Sequence, residues 1–334
     1  MEGKYETART DIEQRVTNFH EGDLVVIGRS DIEAARMRIA GYVRRTPVHY
    51  LEASALSLKV PVTLKLELLQ ATGSFKLRGA FNNLLSADLT EAGVVAISGG
   101  NHGSAVAYAA TSLGVASTVY VPQSYTTEVK LERMRSFGAN VVAVPGTIEE
   151  AFKAYTDHAA QTDALEVHPY DSDLTLAGQG TVGVELSEQV EIDTLLVSVG
   201  GGGLIGGIMS WFQKDLNVVS VETEETSCLA QSLEIGDLVS IIPGGISASG
   251  LGASVIGDRG WQAARQWLGG QVVVSDAATT EAQKRLWEAT RIVGEPGAAT
   301  ALAALTSGAY VPEKDERVGV LLCGGNAAPD WFVD

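Results

Sequence analysis

The stretch TGSFKLRGA, residues 72–80, decides how the rest of the chain is interpreted. It follows VTLKLE, residues 62–67, whose alternation predicts a β-strand, and it leads into AFNNLL, residues 80–85, which has helical character. Lys76 therefore lies at a strand-to-helix turn among glycines and small hydroxyl residues. A desolvated lysine at such a turn is a nucleophile that can form a Schiff base. The alternative is that Lys76 and Arg78 are ordinary surface cations near a helix start, and this stretch alone does not decide between the two.

On the C-terminal side of this stretch, the sequence contains two series of alternating apolar strands and helices. The first series runs from about residue 84 to residue 167, and the second resumes after residue 168 with a helix over 183–189 and a last apolar strand over 318–322. Such alternation predicts an α/β protein with two lobes, each a mostly parallel sheet covered by helices. We expect an N-terminal arm (1–28), a large domain (29–85 and 168–334) and a small domain (86–167).

The composition argues against several classes of protein. A formal net charge of −17 argues against a nucleic-acid partner or an acidic membrane. No stretch approaches a membrane span, and the two cysteines, Cys228 and Cys323, do not form a disulfide framework or a zinc motif. We expect a soluble cytoplasmic enzyme.

A second informative stretch is SVGGGGLIGG, residues 198–207. Four glycines between a buried strand and a helix allow successive N–H groups to converge on a phosphate at the helix N-terminus. No GK[ST] follows, so it is not a Walker loop, and the spaced dinucleotide fingerprint does not fit its register. The alternative is a flexible loop or tight helix–strand packing.

The third stretch is SGGNHG, residues 98–103, at the end of the first strand of the small lobe. Ligands of doubly wound sheets bind beyond the carboxyl ends of strands, and a helix N-terminus suits a carboxylate. Taken alone, this stretch could equally be an Asn/Gly turn with a cap.

Together with CGGN, residues 323–326, these three stretches resemble the fold-type II pyridoxal-phosphate (PLP) enzymes, whose fold is that of the tryptophan synthase β chain. Within that family the chain is most similar to the serine/threonine dehydratase and serine racemase group, from about Ser30 to the C-terminus. The resemblance implies PLP as cofactor, a small amino-acid substrate and a homodimer.

The resemblance also implies a role for each residue of these motifs. Lys76 would carry the cofactor as a Schiff base and then act as the base at the substrate Cα. Cys323 would face the pyridine nitrogen, and since a thiol supplies no negative charge, the nitrogen stays unprotonated, which favours expulsion of a β-substituent. The other implied cofactor contacts are Phe75 at the ring, Asn101 at the 3′ oxygen, and Gly200, Gly201, Gly202, Gly203 and Leu204 at the phosphate. The implied contacts of the substrate carboxylate are Ser98, Asn101 and His102, with Ser74 or Thr72 nearby.

One departure from the family pattern bears on the reaction. Serine racemases carry a serine two residues before the asparagine, where it serves as the second base on the opposite face of Cα. That position is Gly99 here, which has no side chain. Elimination with Lys76 as the single base is unaffected. The sequence therefore favours a dehydratase over a racemase.

Two further positions match the family less closely. Glu295 resembles a glutamate near the cofactor ring, and its alternative is a surface carboxylate at a helix start. Glu222 resembles a ligand of a monovalent or divalent cation. The second acidic ligand of the relatives is Cys228 here, so a metal site is doubtful because hard cations prefer oxygen.

The expected function is a PLP-dependent ammonia-lyase that dehydrates a β-hydroxy-α-amino acid, L-threonine or L-serine first, to a 2-oxo acid and ammonia. Alternatives are the same chemistry on hydroxyaspartate, phenylserine or a hydroxyectoine-derived substrate, serine racemisation, β-replacement, or a PLP- or metabolite-binding protein without turnover. Because the sequence ends at Asp334, soon after CGGN, we expect no C-terminal regulatory domain and no feedback inhibition by isoleucine.

Overall fold

The computed structural model describes residues 27–123, 126–146 and 148–327. Residues 1–26, most of the expected N-terminal arm, lie outside this part of the chain. The strands are β1 (Val48–Leu51), β2 (Val62–Leu66), β3 (Val94–Ile97), β4 (Ser117–Pro122), β5 (Asn140–Val144), β6 (Leu165–Glu166), β7 (Thr194–Ser198), β8 (Asn217–Thr223), β9 (Leu268–Val274) and β10 (Val318–Leu322). The helices are α1 (Arg29–Ile39), α2 (Lys76–Leu85), α3 (Asn101–Ser112), α4 (Glu128–Ser136), α5 (Ile148–Gln161), α6 (Asp173–Gln189), α7 (Gly203–Phe212), α8 (Cys228–Ile235), α9 (Ala248–Leu251), α10 (Asp258–Trp267), α11 (Asp276–Thr290) and α12 (Pro296–Thr306).

The larger sheet has six strands in the order β1-β2-β10-β7-β8-β9. Every pair is parallel except β1 with β2. The central strands β7 (TLLVS) and β10 (VGVLL) are buried at every residue. Such continuous apolar runs are required because helices cover both faces of a parallel sheet.

The smaller sheet has four strands in the order β5-β4-β3-β6, and all of them are parallel. The predicted α/β architecture with two mostly parallel sheets is confirmed, while the exact domain limits stay a prediction. The helix expected over 183–189 is longer than predicted, because α6 begins at Asp173, where the Ser172 hydroxyl accepts a hydrogen bond from the Thr175 N–H.

The order of the strands brings the sequence motifs together. Residues 72–75, 323–326 and 199–203 follow the neighbouring strands β2, β10 and β7, so the three loops lie side by side at the carboxyl edge of the larger sheet. The SGGNHG loop follows β3 at the corresponding edge of the smaller sheet. Carboxyl edges of parallel strands are where α/β proteins bind ligands. No helix in the described ranges is long and apolar enough to cross a membrane.

Candidate active site

Lys76 is the first residue of α2, directly after the loop that follows β2. Nζ donates a hydrogen bond of 2.6 Å to the carbonyl of Pro169 and lies 5.1 Å from the centre of the Phe75 ring. Burial lowers the pKa of Lys76 to about 8, although Cys323 and Glu295 oppose the shift. A substantial fraction of this amine is therefore neutral near pH 8 and can act as a nucleophile or base.

The CGGN segment, which lies near the end of the chain, is hydrogen-bonded to the loop that carries Lys76. Ser74 and Gly324 form an antiparallel bridge, and the Phe75 N–H donates to the carbonyl of Cys323 at 3.0 Å. Cys323 is 4% exposed, and burial, with a smaller contribution from Glu295, raises the pKa of its thiol far above the usual value. The thiol is therefore neutral, as the pyridine-facing role requires.

The glycine loop, residues 200–203, forms a concave stretch of backbone, a cradle that side chains at these positions would fill. A Cβ at Gly200 would lie 3.0 Å from the Leu251 Cα, and one at Gly201 would lie 2.3 Å from Cγ of Tyr170. Gly202 has a φ of 87°, a left-handed conformation that turns the chain into α7 at Gly203. The N–H groups of the first turn of a helix have no intrahelical acceptor, and here they remain available for an anion.

An asparagine pair joins the two lobes across the site. Asn101, at the start of α3, donates through Nδ2 to Glu295 Oε1 at 2.7 Å. Asn326 donates through Nδ2 to Asn101 Oδ1 at 2.7 Å and to the carbonyl of Thr72 at 2.8 Å. These bonds fix the amide of Asn101. The sequence alone assigns no role to Asn326, and its place in the CGGN motif is the signal that points to it.

Glu295 is the N-cap residue of α12 and is 8% exposed, so it is not the surface carboxylate of the alternative interpretation. Burial raises its pKa, and the hydrogen bond from Asn101 opposes that shift. Its Oε1 would lie only 2.1 Å from a Cβ at Gly324. The carboxyl group therefore lies against the CGGN segment.

Two hydroxyl groups in this cluster lack a partner. Ser74 is 0% exposed and Thr72 is 2% exposed, and neither side-chain oxygen finds a hydrogen bond within the described residues. Burying a hydroxyl group without a hydrogen-bond partner costs free energy, unless a bound ligand supplies that partner. This observation fits the implied contact of Ser74 or Thr72 with a substrate carboxylate.

The side chains of Ser98 and His102 are engaged locally. Ser98 Oγ accepts from the Gly100 N–H at 3.2 Å. His102 Nε2 lies 2.8 Å from the carbonyl of Val167, and burial lowers the pKa of the imidazole to about 3. The imidazole is therefore neutral and donates to that carbonyl. Any contact of His102 with a carboxylate would come from its backbone N–H at the start of α3.

Glu222 caps α8, whose first residue, Cys228, contacts the glycine loop. Glu222 is 0% exposed, its two oxygens accept from the N–H groups of Leu229 and Ala230 at 2.9 and 2.7 Å, and burial raises its pKa to about 7. The neighbouring Cys228 thiol donates to the Gly200 carbonyl at 3.6 Å. Among the residues described, no group of three or more His, Cys, Asp and Glu side chains could hold a metal ion. A cation at Glu222 therefore finds no support in this geometry.

Arg78, two residues after Lys76 in α2, belongs to a buried ionic cluster and is not a surface cation. Its guanidinium is 1% exposed and pairs with Glu67 at 2.7 Å and with Glu185 at 2.8 Å. Lys65, also 1% exposed, pairs with Glu185 at 2.8 Å. The cluster joins the end of β2, helix α2 and helix α6, and so holds the element that carries Lys76.

Comparison with known proteins agrees with this geometry. Residues 39–324 match the family described as pyridoxal-phosphate dependent enzyme. The chain therefore belongs to this family and is a fold-type II PLP enzyme, and PLP is its cofactor. The glycine cradle, the Lys76 amine and the unpaired hydroxyls of Thr72 and Ser74 are the features of this structure that fit that group.

The individual relatives divide between two reactions. The chain is 32% identical to the catabolic L-threonine dehydratase of Staphylococcus aureus over 311 residues, 90% of this chain and 89% of that protein. It is 33% identical to the serine racemase of Oryza sativa subsp. indica over 307 residues, 88% of this chain and 89% of that protein.

Solved structures divide in the same way. The T.th. threonine deaminase has a TM-score of 0.85 at 34% identity, covering 91% of this chain and all of that one (100%). Maize serine racemase has a TM-score of 0.85 at 31% identity, covering 92% and 98%. The comparisons thus show a serine/threonine dehydratase or serine racemase relative without choosing between the two reactions.

Proposed function

We propose that the chain is an ammonia-lyase that dehydrates a β-hydroxy-α-amino acid, with L-threonine and L-serine as first candidates, to a 2-oxo acid and ammonia. The observation that carries the proposal is the pairing of one buried amine of lowered pKa, Lys76, with a loop that has no side chain at Gly99. One base is sufficient for elimination, whereas racemisation by two bases needs a second one on the opposite face of Cα.

The remaining groups fit the same reaction. Bound PLP supplies an electron sink for the charge that develops at the substrate Cα. Lys76 accepts the Cα proton, and the unpaired hydroxyls of Thr72 and Ser74, with the N–H groups at the start of α3, bind the substrate carboxylate. The β-hydroxyl takes up one proton as it leaves as water, which balances the proton that Lys76 removes from Cα. Hydrolysis of the released enamine then consumes one water and yields the 2-oxo acid and ammonia.

The electrostatics of Cys323 favour elimination as well. Its neutral thiol provides no anion for the pyridine nitrogen, so the cofactor stays a moderate electron sink and prompt loss of the β-substituent is favoured over a long-lived carbanion. Hydroxyaspartate, phenylserine or a hydroxyectoine-derived substrate would use the same groups with other side-chain contacts. The homodimer that the resemblance implies and the cytoplasmic location that the composition indicates both stay predictions.

The test is release of 2-oxo acid from a panel of β-hydroxy amino acids in the presence of PLP, read with a coupled reductase. Both enantiomers of serine are included, and the D/L ratio of unreacted serine is measured in parallel. Lys76→Ala should abolish release, while Lys153→Ala, which removes an exposed lysine paired with Asp157, should leave it unchanged. Racemisation of serine without oxo-acid release from any panel member would refute the dehydratase.

A further inference from the structure

The segment that crosses from the small lobe to the large lobe, residues 167–171, lies against the glycine loop. A Cβ at Gly201 would lie 2.3–2.5 Å from three ring atoms of Tyr170, and one at Gly203 would lie 2.6 Å from the Tyr170 carbonyl oxygen. Both the ring and the backbone of Tyr170 therefore pack directly on the loop that fits the cofactor phosphate. The sequence alone assigns no role to Tyr170.

Tyr170 is held in place by its neighbours on both sides. Before it, the Pro169 carbonyl accepts the hydrogen bond from Lys76 Nζ at 2.6 Å. After it, Asp171 Oδ1 accepts from the N–H of Arg259 at 3.2 Å, at the start of α10. The His168 imidazole also packs edge-on against the Tyr170 ring, with ring centres 4.9 Å apart, so the ring is in contact on one side with this imidazole and on another with the glycine loop.

The phenol hydroxyl is an unused donor. In the part of the chain that the structure describes, it makes no hydrogen bond, although Tyr170 is partly buried. Burial raises the pKa of Tyr170 to about 12, with smaller contributions from Asp171 and Cys228. The hydroxyl therefore keeps its proton at neutral pH and can donate to an anion but not carry a negative charge towards it.

We propose that Tyr170 is a further cofactor-binding residue, which closes the phosphate end of the site with its ring and donates its hydroxyl proton to a phosphate oxygen of PLP. The contacts with Gly201 and Gly203 place it at the phosphate end and not at the pyridine end, where Cys323 and Glu295 lie. A hydrogen bond to a charged oxygen is about twice as strong as a neutral one. Because Tyr170 lies on the crossover, phosphate binding also ties the cofactor to the segment between the lobes.

The experiment compares two ligands, PLP and pyridoxal, which differ only in the phosphate. Both are titrated into wild type and Tyr170→Phe, and binding is followed by the visible absorbance of the Schiff base. A lost hydrogen bond to a charged group weakens binding by about ten- to a hundredfold. We expect that loss for PLP and no change for pyridoxal. The ³¹P resonance of the bound phosphate should also shift in the variant.

Tyr108→Phe is the matched control, since Tyr108 is a half-buried tyrosine of α3 whose ring contacts Phe81 and Phe137. It should change neither affinity. Equal weakening of PLP and pyridoxal by Tyr170→Phe would overturn the proposal, because the hydroxyl would then act on the ring or the fold. Unchanged PLP affinity together with an unshifted ³¹P resonance would overturn it as well. Oxo-acid release is not used as a readout, so failure here is distinct from failure of the dehydratase assignment.

Discussion

Replacing Arg78 with methionine should destabilise the protein severely, because the change leaves buried carboxylates without their cation. The guanidinium donates from Nε and Nη2 to Glu67 at 2.8 and 2.7 Å and from Nη1 to Glu185 at 2.8 Å. Glu67 is 0% exposed and Glu185 is 8% exposed. Lys65 still pairs with Glu185, so Glu67 bears most of the loss. Breaking one side of a buried ion pair costs roughly 3–5 kcal/mol.

The assay is urea unfolding followed by circular dichroism, with the free energy of unfolding extrapolated to water. Arg135→Met is the matched control. Within the described ranges Arg135 pairs only with the exposed Glu128 and Glu132, and such surface pairs contribute roughly 0–1 kcal/mol. The double variant Arg78→Met/Glu67→Gln should recover part of the loss, since it restores the charge balance around Lys65 and Glu185.

A loss below about 1 kcal/mol for Arg78→Met, comparable with the surface control, would refute the reasoning. So would a double variant whose loss equals the sum of the two single losses, because coupling between Arg78 and Glu67 would then be absent. Either result would mean that the cluster is hydrated or rearranges readily when one partner is removed.

Three further predictions concern the site. Gly201→Ala would place a methyl group 2.3 Å from the Tyr170 ring. Overpacking costs roughly 1–3 kcal/mol, so the affinity for PLP should fall at least about fivefold by titration, and unchanged affinity would show that the ring moves freely. Asn101→Asp would set a second carboxylate 2.7 Å from Glu295 Oε1. The melting temperature of the variant should fall more at pH 8 than at pH 5, because protonation of one carboxylate at the lower pH relieves the repulsion. An equal fall at both pH values would contradict this prediction. The rate of PLP capture, measured by stopped-flow absorbance, should rise as the pH increases through about 8, the pKa of Lys76, because the neutral amine is the nucleophile. A pH profile of this rate with its midpoint near the pKa of an exposed lysine would show that the amine is not desolvated.

The sequence predicted the two sheets well because central strands such as β3 (VVAI) and β10 (VGVLL) are short apolar runs, and because β2 (VTLKL) alternates. It missed the first part of α6, where glycines at 178 and 180 weaken the helical signal. The structure shows why they are there. A Cβ at Gly178 would lie 2.7 Å from the Gly79 Cα of α2, and one at Gly180 would lie 2.8 Å from the Gly207 carbonyl of α7. Close helix packing therefore overrides local propensity, and a local pattern does not reveal it.

The site was partly predictable for a similar reason. Loops at strand ends could be placed together, and the structure brings Lys76, Asn101, Glu295 and Cys323 into one cluster, although their roles with the cofactor stay predictions. The partners of these groups could not be read from the sequence. Asn326 is bonded to Asn101 across 225 positions, and such pairings exist only once the chain has folded.

The position of β10 has a consequence for the order in which the protein can be completed during synthesis. β10 lies between β2 and β7, and pairs with both, although it is the last strand of the described chain to leave the ribosome. Until residues 318–322 emerge, β2 and β7 have no neighbour at the centre of the sheet, and the loop that carries Lys76 lacks the segment that fastens it. Such distant pairings are slow to form. Cofactor capture is therefore a late event, and a ribosome-bound chain halted before β10 should not acquire the Schiff-base absorbance.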